Sequence, residues 1–253
     1  MAEIQGPIRG AGAPGAQVPA EGAGGSRYVF VHGRGGRFEE FSAVVDALGC
    51  HARAYAYSWA SSRLVPWRDH AFGSASRQSL RACIGASVLR ASEKLTEEVA
   101  VLPAEDVTLV GHSKGGAVVL QALADIAAGV PNPGVTTVVT LDAAISWAAQ
   151  MGIRLETASK RVADALSKLP VLGFPAAKYS RWFLEYDRLD VGPLRASIGT
   201  IQDAGVRVIN IRARSRWSSH IPGVVNVSYK DGGHRAVLDW RFLVKMLADT
   251  PRR

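Results

Sequence analysis

Apolar positions along the chain fall into short runs of β-formers that alternate with longer stretches of helical spacing. Val107, Thr108, Leu109 and Val110 form one such run, and good helix formers from Ala117 to Leu123 follow close behind it. A short apolar run of this kind reads as a strand, and the stretch after it as a helix. The same rhythm predicts strands in RYVFVHG (27–33), ARAYAYSW (52–59), VTTVVTL (135–141), GVRVINIRAR (205–214) and VVNVSYKDGG (224–233). Helices are predicted in FEEFSAVVDALG (38–49), closed by Gly49, and in HRAVLDWRFLVKMLAD (234–249). ASVLRASEKLTEEVAVL (86–102) reads as the later part of a long amphipathic helix that Pro103 ends. Strands separated by helices imply an α/β fold with a mainly parallel central sheet and helices on both faces. In such sheets functional groups gather at the carboxyl ends of the strands.

Two segments break the rhythm. Residues 1–25 are rich in Gly, Ala and Pro with few large apolar groups, so they predict a flexible or strapped tail ahead of one domain, 26–253. From about 145 to 205 the chain holds a helical stretch, a Pro- and aromatic-containing piece and a further helix leading to Gln202, too much for an ordinary crossover. It reads as a cap or lid inserted over the active face.

Composition changes this picture little. The 253 residues, 47% hydrophobic and 21% charged, describe an ordinary globular chain able to bury one sizeable core. No apolar stretch approaches the roughly 20 residues that span a bilayer, and no leader with a basic start and an apolar centre is visible, so no stable membrane insertion and a cytoplasmic location are expected. Cys50 and Cys83 stand in no metal-like or redox-like spacing and read as two buried thiols. The net charge of +8 comes from scattered arginines rather than a basic run interleaved with aromatics, which argues against a nucleic-acid partner. The charge fits solvated surface, or a positive mouth if Arg34, Lys114, Arg214, Arg216 and Arg235 turn toward the same edge.

Between the strand at 107 and the helix after it stands the sequence GHSKGG, residues 111 to 116. Gly111, Ser113 and Gly115 make the pattern Gly-x-Ser-x-Gly. At a strand-to-helix corner this pattern holds the serine in a strained turn with its hydroxyl free, and residues two positions away must lack bulk for the turn to close. A serine nucleophile needs a base, and the base needs a group that holds its tautomer. Of six histidines, His234 in KDGGHRAV has the right place, after the last predicted strand, whereas His112 lies inside the corner and His32 ends another strand. An oxyanion needs N–H donors, and the main chain of Lys114 after the serine, with that of Arg34 in the loop HGRGG, can supply them. That loop is not a dinucleotide fingerprint, since the third glycine position is Phe38.

VFVHGRGG, VTLVGHSKGG and DGGH, in this order, resemble the α/β-hydrolase superfamily and within it the lipase- and esterase-like members. The resemblance spans roughly residues 27 to 250 and implies Ser113 as nucleophile, His234 as base, and Arg34 and Lys114 as oxyanion donors. It departs from the commonest pattern at the acid, because IRARSRWSSHIPG (211–223) holds no carboxylate. Asp142, at the end of VVTLDAA, is similar to the acid of members that carry it after the strand following the elbow; Asp231 is the alternative, and Asp203 and Asp239 fall on predicted helices.

The activity so implied is hydrolysis of a carboxylic ester through an acyl-enzyme, on a small-molecule substrate with an apolar acyl group, with no metal and no organic cofactor signalled. The same triad serves thioesterases, amidases, lyases and cofactor-free haloperoxidases, and a catalytically silent ligand-binding member is a further alternative.

Overall fold

Val29 and Val31 turn to one side of the first strand and Phe30 to the other, because successive side chains of a strand point to opposite faces. Repeated across the sheet, this alternation makes two cores. The computed structural model describes residues 26–34, 36–69, 74–102, 106–143, 194, 197–213, 220–229 and 233–248. The expected tail, nearly all of the expected cap, and Asp231, Arg214 and Arg216 lie outside the described residues.

Seven strands form one sheet: β1 (Arg27–Val31), β2 (Ala54–Ser58), β3 (Arg63–Pro66), β4 (Val107–His112), β5 (Val135–Leu141), β6 (Arg207–Arg212) and β7 (Val225–Ser228). Their order is β3-β2-β1-β4-β5-β6-β7, parallel throughout except for the β2–β3 hairpin. The chain runs outward from β1 to β3, then returns to the other side of β1 as β4. The order therefore reverses between β1 and β4, and their carboxyl ends form the crevice where open α/β sheets bind ligands. β3 was not expected: it is a four-residue edge strand whose exposed–intermediate–intermediate–exposed pattern lacks clear alternation, and it ends in a proline that an edge tolerates.

One face carries α2 (Ser74–Gly85), α3 (Val88–Ala100), α4 (Lys114–Ala127) and α5 (Ile198–Asp203) over Val29, Val31, Leu109, Val138 and Val208. The other carries α1 (Ser42–Leu48) and α6 (Trp240–Ala248) over Phe30, Val110, Val139, Leu141 and Ile209. Cys83 is buried on the first face and Cys50 on the second, both as free thiols that burial pushes up to about 12. Gly49 adopts the left-handed conformation (φ 57°) that closes α1, as its sequence position predicts.

Two helices depart from expectation. The long amphipathic helix is α2 and α3, separated at Ala86 and Ser87, where the Ser87 side chain caps α3 by accepting the Arg90 N–H at 3.3 Å. The terminal helix begins at Trp240, not at His234, because Asp239 leaves the helical region (ψ 109°) and its carboxylate accepts the Arg241 N–H at 3.1 Å. Among the described residues no helix is long and apolar enough to cross a membrane.

Candidate active site

β4 ends at His112 and α4 begins at Lys114, so a single residue turns the chain. That residue is Ser113, with φ 54° and ψ −118°, a conformation rare for any side-chain-bearing residue. The turn closes because its neighbours lack side chains. A Cβ on Gly111 would lie 2.4 Å from the Gly115 oxygen, and one on Gly115 would lie 2.0 Å from the Val31 oxygen. Gly116 is packed as tightly, with Ala143 2.5 Å from where its Cβ would stand. The Ser113 N–H is tied to the Leu141 oxygen of β5 at 3.0 Å.

The loop after β1 passes directly beside this turn: a Cβ on Gly33 would meet Ser113 Cβ at 2.4 Å and Oγ at 3.1 Å. The Gly33 carbonyl accepts from the Gly36 N–H at 3.0 Å and from Nδ1 of His32 at 3.0 Å. In a planar trans peptide the next N–H points the opposite way, so the Arg34 N–H is aimed away from both donors. His32 is buried, and burial holds its basicity below the ordinary histidine range. The neutral ring fits its partners. Nδ1–H donates to Gly33, Nε2 accepts the Ser79 hydroxyl at 2.9 Å, and that hydroxyl accepts the Trp59 N–H at 3.1 Å.

Lys114 corrects the expectation of a cation turned toward the entrance. Its side chain is fully buried, and Nζ donates to the Cys83 and Ala86 carbonyls at 2.8 and 2.5 Å and stands 5.4 Å from the centre of the Trp59 ring. The Cys83 carbonyl lies in the last turn of α2 and the Ala86 carbonyl just past its end, where a helix favours a cation.

Asp142 directly follows β5, with φ 42°, and is completely buried. Its N–H reaches the Ile211 oxygen of β6 at 2.7 Å, and Oδ1 accepts the Ala213 N–H at 3.1 Å. Oδ2 lies 2.5 Å from Nδ1 of His234, whose side chain is 34% exposed. His234 lies in the turn before the short 3-10 helix Ala236–Leu238. Its ring centre is 4.8 Å from that of His112, next to the elbow serine. Sequence residues 113, 142 and 234 thus converge at the carboxyl edge of the sheet. The Asp142 carboxylate engages Nδ1 of His234, which leaves Nε2 as the ring nitrogen on the side away from that carboxylate.

His112 and Glu40 join the cluster without having been assigned to it by sequence. Nδ1 of His112 lies 3.2 Å from Glu40 Oε1, and Nε2 lies 3.2 Å from the His234 main-chain oxygen. The only sequence signal was the histidine inside the elbow, and nothing local in FEEF distinguishes Glu40 from Glu39, which accepts the Ser76 hydroxyl at 2.6 Å. Among the described residues no group of three or more His, Cys, Asp or Glu is arranged to hold a metal ion.

No protein-family model and no curated protein matches the sequence. Solved structures do resemble the chain. A lipase-esterase related protein from Clostridium acetobutylicum ATCC 824 superposes with a TM-score of 0.52 at 14% identity, covering 89% of this chain and 94% of its own. A carboxylesterase of the thaumarchaeon Nitrososphaera gargenis gives 0.52 at 14% identity, with 88% and 90% covered. A marine microorganism esterase gives 0.50 at 14% identity, with 91% and 96% covered. With the strand order, the switch point and the elbow at its carboxyl edge, these likenesses mean that the chain has the α/β-hydrolase fold.

Proposed function

We propose that this protein is a serine hydrolase that cleaves a carboxylic ester through Ser113, His234 and Asp142. The observation that carries the reading is the 2.5 Å contact between the buried Asp142 carboxylate and Nδ1 of His234, beside a serine at φ 54°. A carboxylate on Nδ1 selects the tautomer whose Nε2 accepts a proton, and it balances the charge the ring gains. Ser113 Oγ attacks the ester carbonyl as its proton passes to Nε2 of His234. The oxyanion rests on the main-chain N–H groups of Lys114, at the N-terminus of the fourteen-residue α4, and of Arg34. His234 then protonates the departing alcohol. Water, deprotonated by the same ring, attacks the acyl-serine and releases the acid with Ser113 restored. The esterases that share the fold support a small-molecule ester as the substrate class, and an apolar acyl group is the expectation carried from the sequence.

A fluorophosphonate probe and p-nitrophenyl esters of graded chain length test this reading together. Wild-type protein is expected to take label on Ser113 and to turn over esters, and Ser113→Ala to lose both, turnover falling by several orders of magnitude. Folded wild-type protein that takes no label and cleaves no ester would instead be a silent ligand-binding member of the fold.

A further inference from the structure

The proposed reaction leaves His112 unused, although it is a buried ionisable ring within the site. Its side chain is 4% exposed, and that of Glu40 beside it is 12% exposed. Both of its hydrogen-bond partners, the Glu40 carboxylate and the His234 carbonyl, are acceptors. One acceptor stands at each ring nitrogen, so the ring bridges the 3-10 helix that carries Glu40 and the turn that carries His234. The site is shaped to hold the pair. Gly36 leaves room for the carboxylate, since a Cβ there would stand 2.6 Å from Glu40 Oε2.

We propose that Glu40 and His112 are positioning residues for His234: the His112 ring, held by Glu40, ties the main chain of His234 to the end of β4. The role rests on His234 being the base. Asp142 grips the ring of His234 from β5, but it does not grip the turn that carries the ring. His112 supplies that second hold and packs against the same ring, centres 4.8 Å apart and planes tilted by 32°. Glu40 lies in the 3-10 helix Phe38–Phe41 that follows the Gly33–Arg34 loop, so one chain of bonds links the loop, the elbow and the base. Two anchors hold a base within the small tolerance that proton transfer allows, where a shift of about 1 Å is worth roughly a hundredfold in rate.

The experiment compares the full chain as wild type, His112→Phe, Glu40→Leu, the double variant and Glu40→Gln. It reads kcat and KM on a p-nitrophenyl ester and, by proton NMR, the downfield proton shared by His234 Nδ1 and Asp142. His112→Phe and Glu40→Leu are each expected to lower kcat on the order of 10- to 100-fold with KM within about threefold, and to broaden that resonance by exchange. The double variant is expected to be no worse than the poorer single one, as for residues that act as a unit. Glu40→Gln is expected to keep most of kcat, because its amide can donate to a neutral Nδ1 and leave Nε2–H for the His234 carbonyl. Wild-type kcat and an unchanged resonance in Glu40→Leu and His112→Phe overturn the proposal, as does strict additivity. If His112→Phe does not fold, Glu40→Leu and Glu40→Gln decide alone. If wild type neither turns over ester nor takes fluorophosphonate label, the hydrolase reading fails, and the resonance still decides whether the pair holds His234.

Discussion

Asp142 meets two demands with one carboxylate, accepting the Ala213 N–H on one oxygen and facing His234 on the other. Asp142→Asn keeps the first bond and turns the second into an N–H aimed at Nδ1. The ring must then carry its proton on Nε2, the wrong tautomer for a base. Turnover is expected to fall by roughly 10⁴, with the fold and substrate binding retained, while Asp231→Asn does much less. Ester kinetics and circular dichroism on both variants check this, and the opposite ranking would make Asp231 the acid. At this scale the nucleophile and its glycines were legible, because a main-chain turn writes its steric needs into adjacent residues. The acid was legible only as a choice, since its partner lies 92 positions away and spacing says nothing of such a contact.

Among the elements, the inner strands β4 and β5 read well because burial on both faces makes them near-continuous apolar runs, while the exposed edge strand β3 did not. The division of the predicted long helix into α2 and α3 was hidden, because one of its causes lies in another element. Lys114 of α4 takes the carbonyls of Cys83 and Ala86 that a continuous helix would have used internally. Lys114→Met keeps most of the side-chain volume and removes that donor. It is expected to destabilise the fold on the order of 2 kcal/mol, because two buried acceptors lose their partner. Denaturant unfolding monitored by circular dichroism measures it. A neutral or stabilising result would mean that burying the ammonium costs as much as its hydrogen bonds return. The same burial takes the Lys114 ammonium out of the positive mouth expected from the sequence.

For the whole molecule, stability depends on pH through His32 among other groups. Burial lowers its basicity in the folded state, so the unfolded chain binds the proton first as pH falls. The sign follows: above about pH 6.5 His32 has no effect, and below it unfolding takes up a proton and stability drops, by at most about 1.4 kcal/mol per pH unit. Unfolding free energies at pH 8 and pH 5 should therefore differ more in wild type than in His32→Gln. Equal differences would show that His32 is not the group responsible.

What the sequence determined by itself is what near neighbours in the chain decide: the order of strands and helices, the elbow at Ser113, and the α/β architecture that follows from alternation. The tertiary structure alone decided which distant groups meet. It set the reversal of strand order between β1 and β4, brought Asp142 to His234, buried Lys114 under α2, and joined Glu40 to His112. The physical reason is range. Turn sterics and hydrophobic periodicity act over a few residues and leave a mark in the sequence. A hydrogen bond or ion pair between elements depends on where packing the two faces of the sheet happens to carry each side chain.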